Sequence, residues 1–296
     1  MVLQRPAGDS IDDTSAPLIE HLAELRTRLI WSVAAFLVGI ILAFVVAEPM
    51  LNFMLVPIEQ VMRDLGDPNP VMQYTAPQEY FFTLVQVSVV GGLMLSFPVI
   101  AFQLWRFVAP GLYRSEKNAF LPFLIASPLL FLAGAAFAYL VVTPMAMRFF
   151  LGFADVASVL TAMLPLIADA PLPEGAAAVP SEGVTIVFQG KVNETLDILL
   201  KLMIAFGLCF QLPVLLVLMG KAGLVSAAGL RAGRKWAVVL ILLLAAVATP
   251  PDVMSQLILF AAVYPLYEVS IILIARIEKK RRAELAADGL LDPEDE

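Results

Sequence analysis

Six long apolar stretches, separated by polar segments, constrain this 296-residue chain more than any other feature of its sequence. A helix needs about 20 apolar residues to cross a hydrocarbon core of roughly 30 Å. Hydrophobic residues make up 60% of the chain and charged residues 15%, which leaves too little polar surface for a soluble domain. We therefore expect an all-α integral membrane protein with six transmembrane helices. The predicted spans lie at about 29–47, 80–104, 120–143, 195–219, 236–249 and 253–275.

The fifth and sixth spans are predicted to form a short hairpin. The fifth stretch is short and runs directly into TPPD (249–252), where two consecutive prolines end the helix and force a tight reversal. Around the six-span domain, 17–276, the sequence predicts a disordered N-terminal tail over 1–16 and a charged cytoplasmic tail over 277–296.

The distribution of lysine and arginine predicts how the chain is oriented. Fifteen of the 19 cations lie in the two termini and in the loops after the second and fourth spans. The other four, Arg63, Arg148, Lys191 and Lys201, lie on the opposite side. Because cationic loops stay in the cytoplasm, both termini are predicted to be cytoplasmic.

The sequence offers no pattern for catalysis, metal binding or redox chemistry. It contains one histidine, His21, and one cysteine, Cys209, so sites that need two of either are excluded. The motifs HExxH, GxSxG, CxxC and GxxxxGK[ST] are all missing from the sequence. We therefore expect no enzymatic activity, no catalytic residue, no metal, no cofactor and no nucleic-acid partner.

Two acidic residues are candidates for binding a cationic ligand on the cytoplasmic side. Glu24 lies in an amphipathic stretch before the first span, and Glu116 is the one acid in the strongly cationic loop after the second span. Local pairing is the simpler interpretation for both residues: Glu24 with Arg28 at i,i+4, and Glu116 with Arg114 or Lys117. The alternative is that both carboxylates belong to a recognition surface; for Glu116, a carboxylate kept where positive-inside pressure favours cations suits a cationic ligand.

Two polar residues mark irregular points in the spans. Gln211 precedes Pro213, so the fourth span is predicted to be kinked there. Asp252 precedes the sixth span, where its carboxylate can cap free backbone N–H groups.

Five segments together resemble the TatC family, the multi-spanning core of the twin-arginine protein translocase. They are HLAELRTRL (21–29), LVPI (55–58), FVAPGLYRSEK (107–117), FAYLVVTP (137–144) and TPPDVMSQ (249–256). The resemblance runs in order from about residue 17 to residue 276, and its six-span topology agrees with the orientation predicted from charge.

The resemblance implies binding of the twin-arginine signal peptides of folded cargo at the cytoplasmic face. The acids of the family's recognition site match Glu24 and Glu116, and further signal-peptide-binding positions match Leu25, Arg26, Phe107, Pro110, Leu112 and Tyr113. Positions with structural or translocation-related roles match Pro57, Gln211 and Asp252. The span-four position is often glutamate in the family, and the glutamine here cannot form an ion pair.

The resemblance also implies partners and a location. We expect a multi-pass protein of the cell inner membrane that contacts lipid and self-associates. It would export folded proteins together with the single-span proteins TatA and TatB, driven by the proton-motive force. A secondary transporter and a purely structural membrane scaffold are the alternatives; the first requires midplane charges or interrupted helices around a solute.

Overall fold

A computed structural model describes residues 12–65, 67–108, 121–151, 190–248 and 253–287 of the chain. Most of these residues are helical, and two short strands pair with each other. In chain order the elements are α1 (Asp12–Val45), α2 (Ala47–Asp64), β1 (Met72–Gln73), α3 (Glu79–Val108), α4 (Leu121–Phe137), a π-helical turn (Ala138–Val142), α5 (143–151), β2 (Gly190–Lys191), α6 (Val192–Cys209), α7 (Leu212–Lys221), α8 (Ala227–Ala232), α9 (Arg234–Ala248) and α10 (Val253–Ala287).

Five helical segments are long and apolar enough to cross a membrane. They are Leu22–Val45, Glu79–Phe107, Pro122–Leu151, Val192–Lys221 and Ser255–Glu284. These segments coincide with five of the six predicted spans and confirm a multi-span helical membrane protein. The predicted fifth span corresponds to α9, which has only 15 residues and is about 22 Å long at 1.5 Å per residue.

Helices α1 and α3 approach each other unusually closely at a pair of glycines. A Cβ atom on Gly39 would lie 2.6 Å from the carbonyl oxygen of Gly92, and one on Gly92 would lie 2.6 Å from the backbone nitrogen of Ile40. Such contact requires that neither residue has a side chain, because small residues are what allow helix backbones to approach in lipid. The crossing fixes how α1 and α3 lie against each other.

The core of the bundle lies between α4 and α6. Phe131 and Phe206 are fully buried there, and the Phe131 ring stacks on Phe97 of α3 with 3.8 Å between ring centroids. A Cβ atom on Gly134 would lie 2.5 Å from the carbonyl oxygen of Phe206. This second close glycine contact lets aromatic side chains fill the space on either side of it.

A cap covers one end of the bundle. Helix α2 lies in this cap with one face buried, and β1 pairs in parallel with β2, so that Met72 is opposite Gly190. Arg148 of α5 donates to the Asp64 carboxylate at 2.6 Å. The short strand pair was not predicted, since two-residue strands carry no periodic pattern. We refer to this end of the bundle as the cap end.

Both terminal helices extend beyond the limits predicted from the sequence. Helix α1 begins at Asp12, within the segment expected to be disordered, and α10 continues to Ala287, well into the segment expected to be a tail. The i,i+4 ion pair between Lys280 and Glu284, 3.4 Å apart, is compatible with a helix through these charged residues. In both helices the helical backbone continues past the end of the apolar stretch into polar residues.

We predict that Gly39→Ala destabilises the protein although alanine favours helix, because its methyl group would overlap the Gly92 carbonyl. Overpacking of this kind costs about 1–3 kcal/mol. Thermal unfolding of the purified protein in detergent measures the effect. The control is Ala34→Leu, which adds a larger side chain on the exposed face of α1 and should leave stability unchanged. Equal stability of Gly39→Ala and the unsubstituted protein would contradict the close crossing.

Candidate functional site

Glu24 lies on α1 and is already bound to a guanidinium group. The Nε of Arg28 donates to Glu24 Oε1 at 3.0 Å, and Arg28 Nη2 donates to the same oxygen. The side chain of Glu24 is 35% exposed, whereas that of Arg28 is 15% exposed. The i,i+4 pairing predicted from the sequence is therefore present, and the carboxylate remains accessible from outside the helix.

Two further predicted residues flank Glu24 on the surface. Leu25 is 41% exposed and Arg26 is also exposed. Leu22 lies about one turn before these residues and is exposed as well. The surface around Glu24 thus combines apolar side chains with one carboxylate and one cation that lies outside the Glu24–Arg28 pair.

The crossing of α1 and α3 brings Glu24 level with Phe107. The two helices run in opposite directions, because the chain turns through the cap between the end of α1 and the start of α3. Glu24 and Phe107 each lie fifteen residues from the crossing at Gly39 and Gly92, toward the end of the bundle away from the cap. At 1.5 Å per residue, both are about 22 Å from that crossing. We refer to this end of the bundle as the Glu24 end.

Phe107 is half-buried in the last turn of α3. The predicted residues that follow it lie outside the described part of the chain: Pro110, Leu112, Tyr113 and Glu116. The described residues on both sides of that segment meet at one place, since Trp105 of α3 and Phe123 of α4 pack in the same hydrophobic cluster. The chain therefore leaves and re-enters the bundle at the Glu24 end.

Gln211 occupies a break in the fourth span, as the sequence predicted. Helix α6 ends at Cys209 and α7 begins at Leu212, with Pro213 in its first turn. The amide of Gln211 donates to the backbone oxygen of Ser127 at 2.8 Å, and the Ser127 hydroxyl donates back to Gln211 Oε1 at 2.6 Å. The reciprocal pair joins the break to α4 and uses both ends of the glutamine amide. A neutral amide fits this arrangement because it supplies both a donor and an acceptor, which an ionised carboxylate does not.

Pro57 lies in the cap, at the end of the bundle opposite Glu24. It is buried within α2, and a proline inside a helix leaves the carbonyl four residues earlier without its N–H partner. That carbonyl belongs to Phe53, and it accepts a hydrogen bond from the Tyr139 hydroxyl at 2.6 Å. The Phe53 and Tyr139 rings also stack, with 4.8 Å between centroids. Pro57 thus creates an acceptor that attaches the cap to the π-helical turn.

The sequence analysis missed a polar contact in the cap-side half of the bundle. Asp197 of α6 accepts a hydrogen bond from the Gln86 amide at 2.8 Å and lies 2.5 Å from the Lys201 ammonium. The i,i+4 spacing of Asp197 and Lys201 was the available signal. Asp252 lies outside the described residues, and within the described part of the chain no group of three metal-ligating side chains occurs.

Each of the four cations outside the predicted cytoplasmic segments lies within 4 Å of a carboxylate. The pairs are Arg63 with Glu59 at 2.9 Å, Arg148 with Asp64 at 2.6 Å, Lys191 with Glu194 at 3.1 Å and Lys201 with Asp197 at 2.5 Å. The cations in this half of the bundle are therefore individually compensated, while the larger group of cations lies at the Glu24 end.

Comparison with known proteins identifies the family of this chain. The family model for "Sec-independent protein translocase protein (TatC)" matches residues 20–261. The chain belongs to the TatC family. TatC of Magnetococcus marinus is 40% identical over 290 residues, which cover 96% of this chain and 95% of that protein. TatC of Aquifex aeolicus is 34% identical over 266 residues, 90% of this chain and 98% of that one.

A solved structure of a TatC protein has a similar fold. The crystal structure described as "Twin Arginine Translocase Receptor- TatC" matches with a TM-score of 0.66 and 33% identity, covering 86% of this chain and 98% of that one. TatC proteins are translocase components rather than enzymes, and the apolar helices of this chain agree with a multi-span membrane protein.

We predict that Tyr139→Phe destabilises the protein by about 1–2 kcal/mol, because the Phe53 carbonyl loses its donor within a partly buried site. Pro57→Ala restores the backbone N–H that can bond this carbonyl, so Tyr139→Phe should cost much less in that background. A double-mutant cycle, from unfolding free energies in detergent, measures the coupling. Additive effects of the two substitutions would contradict the link between the proline and the tyrosine.

Proposed function

We propose that this chain is the twin-arginine signal-peptide receptor of a translocase and binds the peptide at the Glu24 end. The observation that carries the proposal is the contact between Glu24 and Arg28: an accessible carboxylate already holds a guanidinium through two N–H groups. A signal-peptide arginine presents the same chemical group. The word "receptor" in the description of the similar crystal structure supports this assignment.

Binding is proposed to occur by exchange of guanidinium groups. Charge-assisted hydrogen bonds are the strong kind, and a planar guanidinium makes them with a geometry that an ammonium group cannot reproduce. In the complex, Glu24 would bind one arginine of the pair and Glu116 the other. Leu25, Phe107, Leu112 and Tyr113 would contact the apolar parts of the peptide, and Arg26 and Pro110 would shape the surface between the two acids.

The proposed exchange explains why the resting site keeps its carboxylate paired. An unpaired carboxylate at the membrane surface would attract other cations, whereas a local partner on the same helix keeps it occupied until the peptide arrives. Helical i,i+4 pairs contribute about 0.2–0.5 kcal/mol, and this one is partly shielded because the Arg28 side chain is only 15% exposed. An incoming arginine would replace the bonds that Arg28 gives up.

We further propose that the chain crosses the cell inner membrane six times and has both termini in the cytoplasm. The excess of lysine and arginine at the Glu24 end supports this orientation. Helix α9 would be the fifth of the six crossings, and its 15 residues would require local thinning of the bilayer.

The remaining steps of export are proposed to need other subunits. TatA and TatB would join copies of this chain to move folded cargo with the energy of the proton-motive force. The short α9–α10 hairpin and the polar break at Gln211 are the proposed docking surfaces. We propose that Gln211, Pro57 and Asp252 support translocation by stabilising the fold. They would not contact the signal peptide.

We predict that Glu24→Gln lowers photocrosslinking to a twin-arginine signal peptide about tenfold or more, since one charge-assisted pair is lost. Arg28→Gln should retain or increase crosslinking, because it frees the carboxylate without removing it. The matched control is Glu59→Gln, which disrupts an equivalent i,i+4 pair with Arg63 in the cap.

The measurement uses membranes containing the full chain and a signal peptide with a photoreactive group beside its arginines, compared with a twin-lysine version. Crosslinking that survives Glu24→Gln, or falls as much with Glu59→Gln, would contradict the proposed receptor site.

A further inference from the structure

A cavity at the Glu24 end is lined by three cations from two different helices. Its volume is about 310 Å³, which falls in the range of about 300–1,000 Å³ that is usual for small-ligand sites. Arg231 of α8 lies on one wall, and Lys279 and Arg282 of α10 lie on the other. Alanines 227 and 275 contribute small side chains to the lining, so the space between the cations stays open.

The acid in this cavity already has a structural task. Glu278 accepts a hydrogen bond from the backbone N–H of Ala227 at 2.9 Å, so its carboxylate caps α8. Among the described residues, no carboxylate lies within ion-pair distance of Arg231, Lys279 or Arg282. The lining therefore holds three cations against the one carboxylate of Glu278, which leaves a net positive charge in the cavity.

The two walls are held in place independently of any ligand. The Tyr267 hydroxyl of α10 donates to the Leu230 carbonyl of α8 at 2.8 Å. Close to this contact, Arg234 donates through Nε and Nη2 to the two oxygens of Glu268, at 2.9 and 2.8 Å. Together with the Glu278 contact, these bonds join α8 and the start of α9 to α10. The cations thus project from a fixed frame rather than from a free tail.

The cavity lies where the lipid-facing surface ends. On α10, the exposed apolar residues Ile272 and Leu273 lie within one turn before Ala275, and the cationic residues follow. On the other face of α8 is an apolar groove of about 350 Å³ that includes Trp236, which is 70% exposed. Exposed tryptophan is typical of the headgroup level of a membrane. A ligand in the cavity would therefore be at the depth of lipid headgroups.

We propose that this cavity binds the phosphate headgroup of an anionic phospholipid. Arginine binds phosphate oxygens through parallel N–H donors, lysine adds a mobile point charge, and basic pockets between membrane helices are suited to such headgroups. Orientation by the positive-inside effect requires only that cations be present. It does not require three cations around one cavity whose single acid, Glu278, is engaged in capping α8.

The proposed site shares no residue with the proposed signal-peptide site. Three of its residues, Glu278, Lys279 and Arg282, lie beyond residue 261, where the match to the family model ends. Free phosphate shares the chemistry of the headgroup. The membrane depth favours the lipid, and the experiment distinguishes the two.

The test is native mass spectrometry of the full-length protein in detergent, with equal amounts of dioleoylphosphatidylglycerol and dioleoylphosphatidylcholine. The unsubstituted protein should retain phosphatidylglycerol preferentially. The triple variant Arg231→Gln/Lys279→Gln/Arg282→Gln should bind it about a hundredfold less tightly, given about 1 kcal/mol for each cation near a lipid surface. Single variants at Lys279 and Arg282 should have intermediate affinities, and they provide the measurement should the triple variant fail to fold.

The matched control is Lys235→Gln/Arg276→Gln/Lys280→Gln, which removes the same charge from exposed residues of α9 and α10 that do not line the cavity. This control should keep its preference for phosphatidylglycerol. An equal loss in both triple variants, or equal retention of the two lipids, would overturn the site. Displacement of phosphatidylglycerol by equimolar inorganic phosphate would overturn the lipid assignment in favour of a soluble anion.

Discussion

The close crossing of α1 and α3 at Gly39 and Gly92 is the contact on which the rest of the account depends. Lipid provides no hydrophobic force to hold two apolar helices together, so their association relies on close packing. The two glycines allow backbone to meet backbone, which leaves one alignment of α1 against α3. That alignment brings Glu24, whose side chain is 35% exposed, to the same level of the bundle as Phe107 in the last turn of α3.

A second constraint acts wherever a helix is interrupted inside the bundle, because freed backbone groups need partners when water is excluded. At Pro57 the freed group is the Phe53 carbonyl, and its partner is the Tyr139 hydroxyl. At the α6–α7 break the Gln211 side chain, rather than a freed backbone group, pairs with Ser127 of α4. Both irregular points therefore carry a polar link between elements that are distant in sequence.

Features that depend on local sequence could be predicted, whereas partners across the bundle could not. The spans, the kink before Pro213 and the pairing of Glu24 with Arg28 follow from apolar length, from proline and from i,i+4 spacing. The Tyr139 contact and the Arg234–Glu268 pair join residues 86 and 34 positions apart, and only the packing of the helices brings them together. The charged part of α10 was expected to be a tail for a related reason. Its Glu278 caps α8, and the sequence of α10 alone does not indicate this contact with a helix about fifty residues earlier.

Side-specific labelling of single cysteines tests most directly whether the two proposed recognition acids share one membrane face. Cys209→Ser removes the one native cysteine, which is buried, and cysteine then replaces Glu24, Glu116 or Glu59 in separate variants. The account predicts that a membrane-impermeant maleimide labels position 59 in intact spheroplasts. Positions 24 and 116 should be labelled only in inverted vesicles. Labelling of positions 24 and 116 from opposite sides would contradict the shared site.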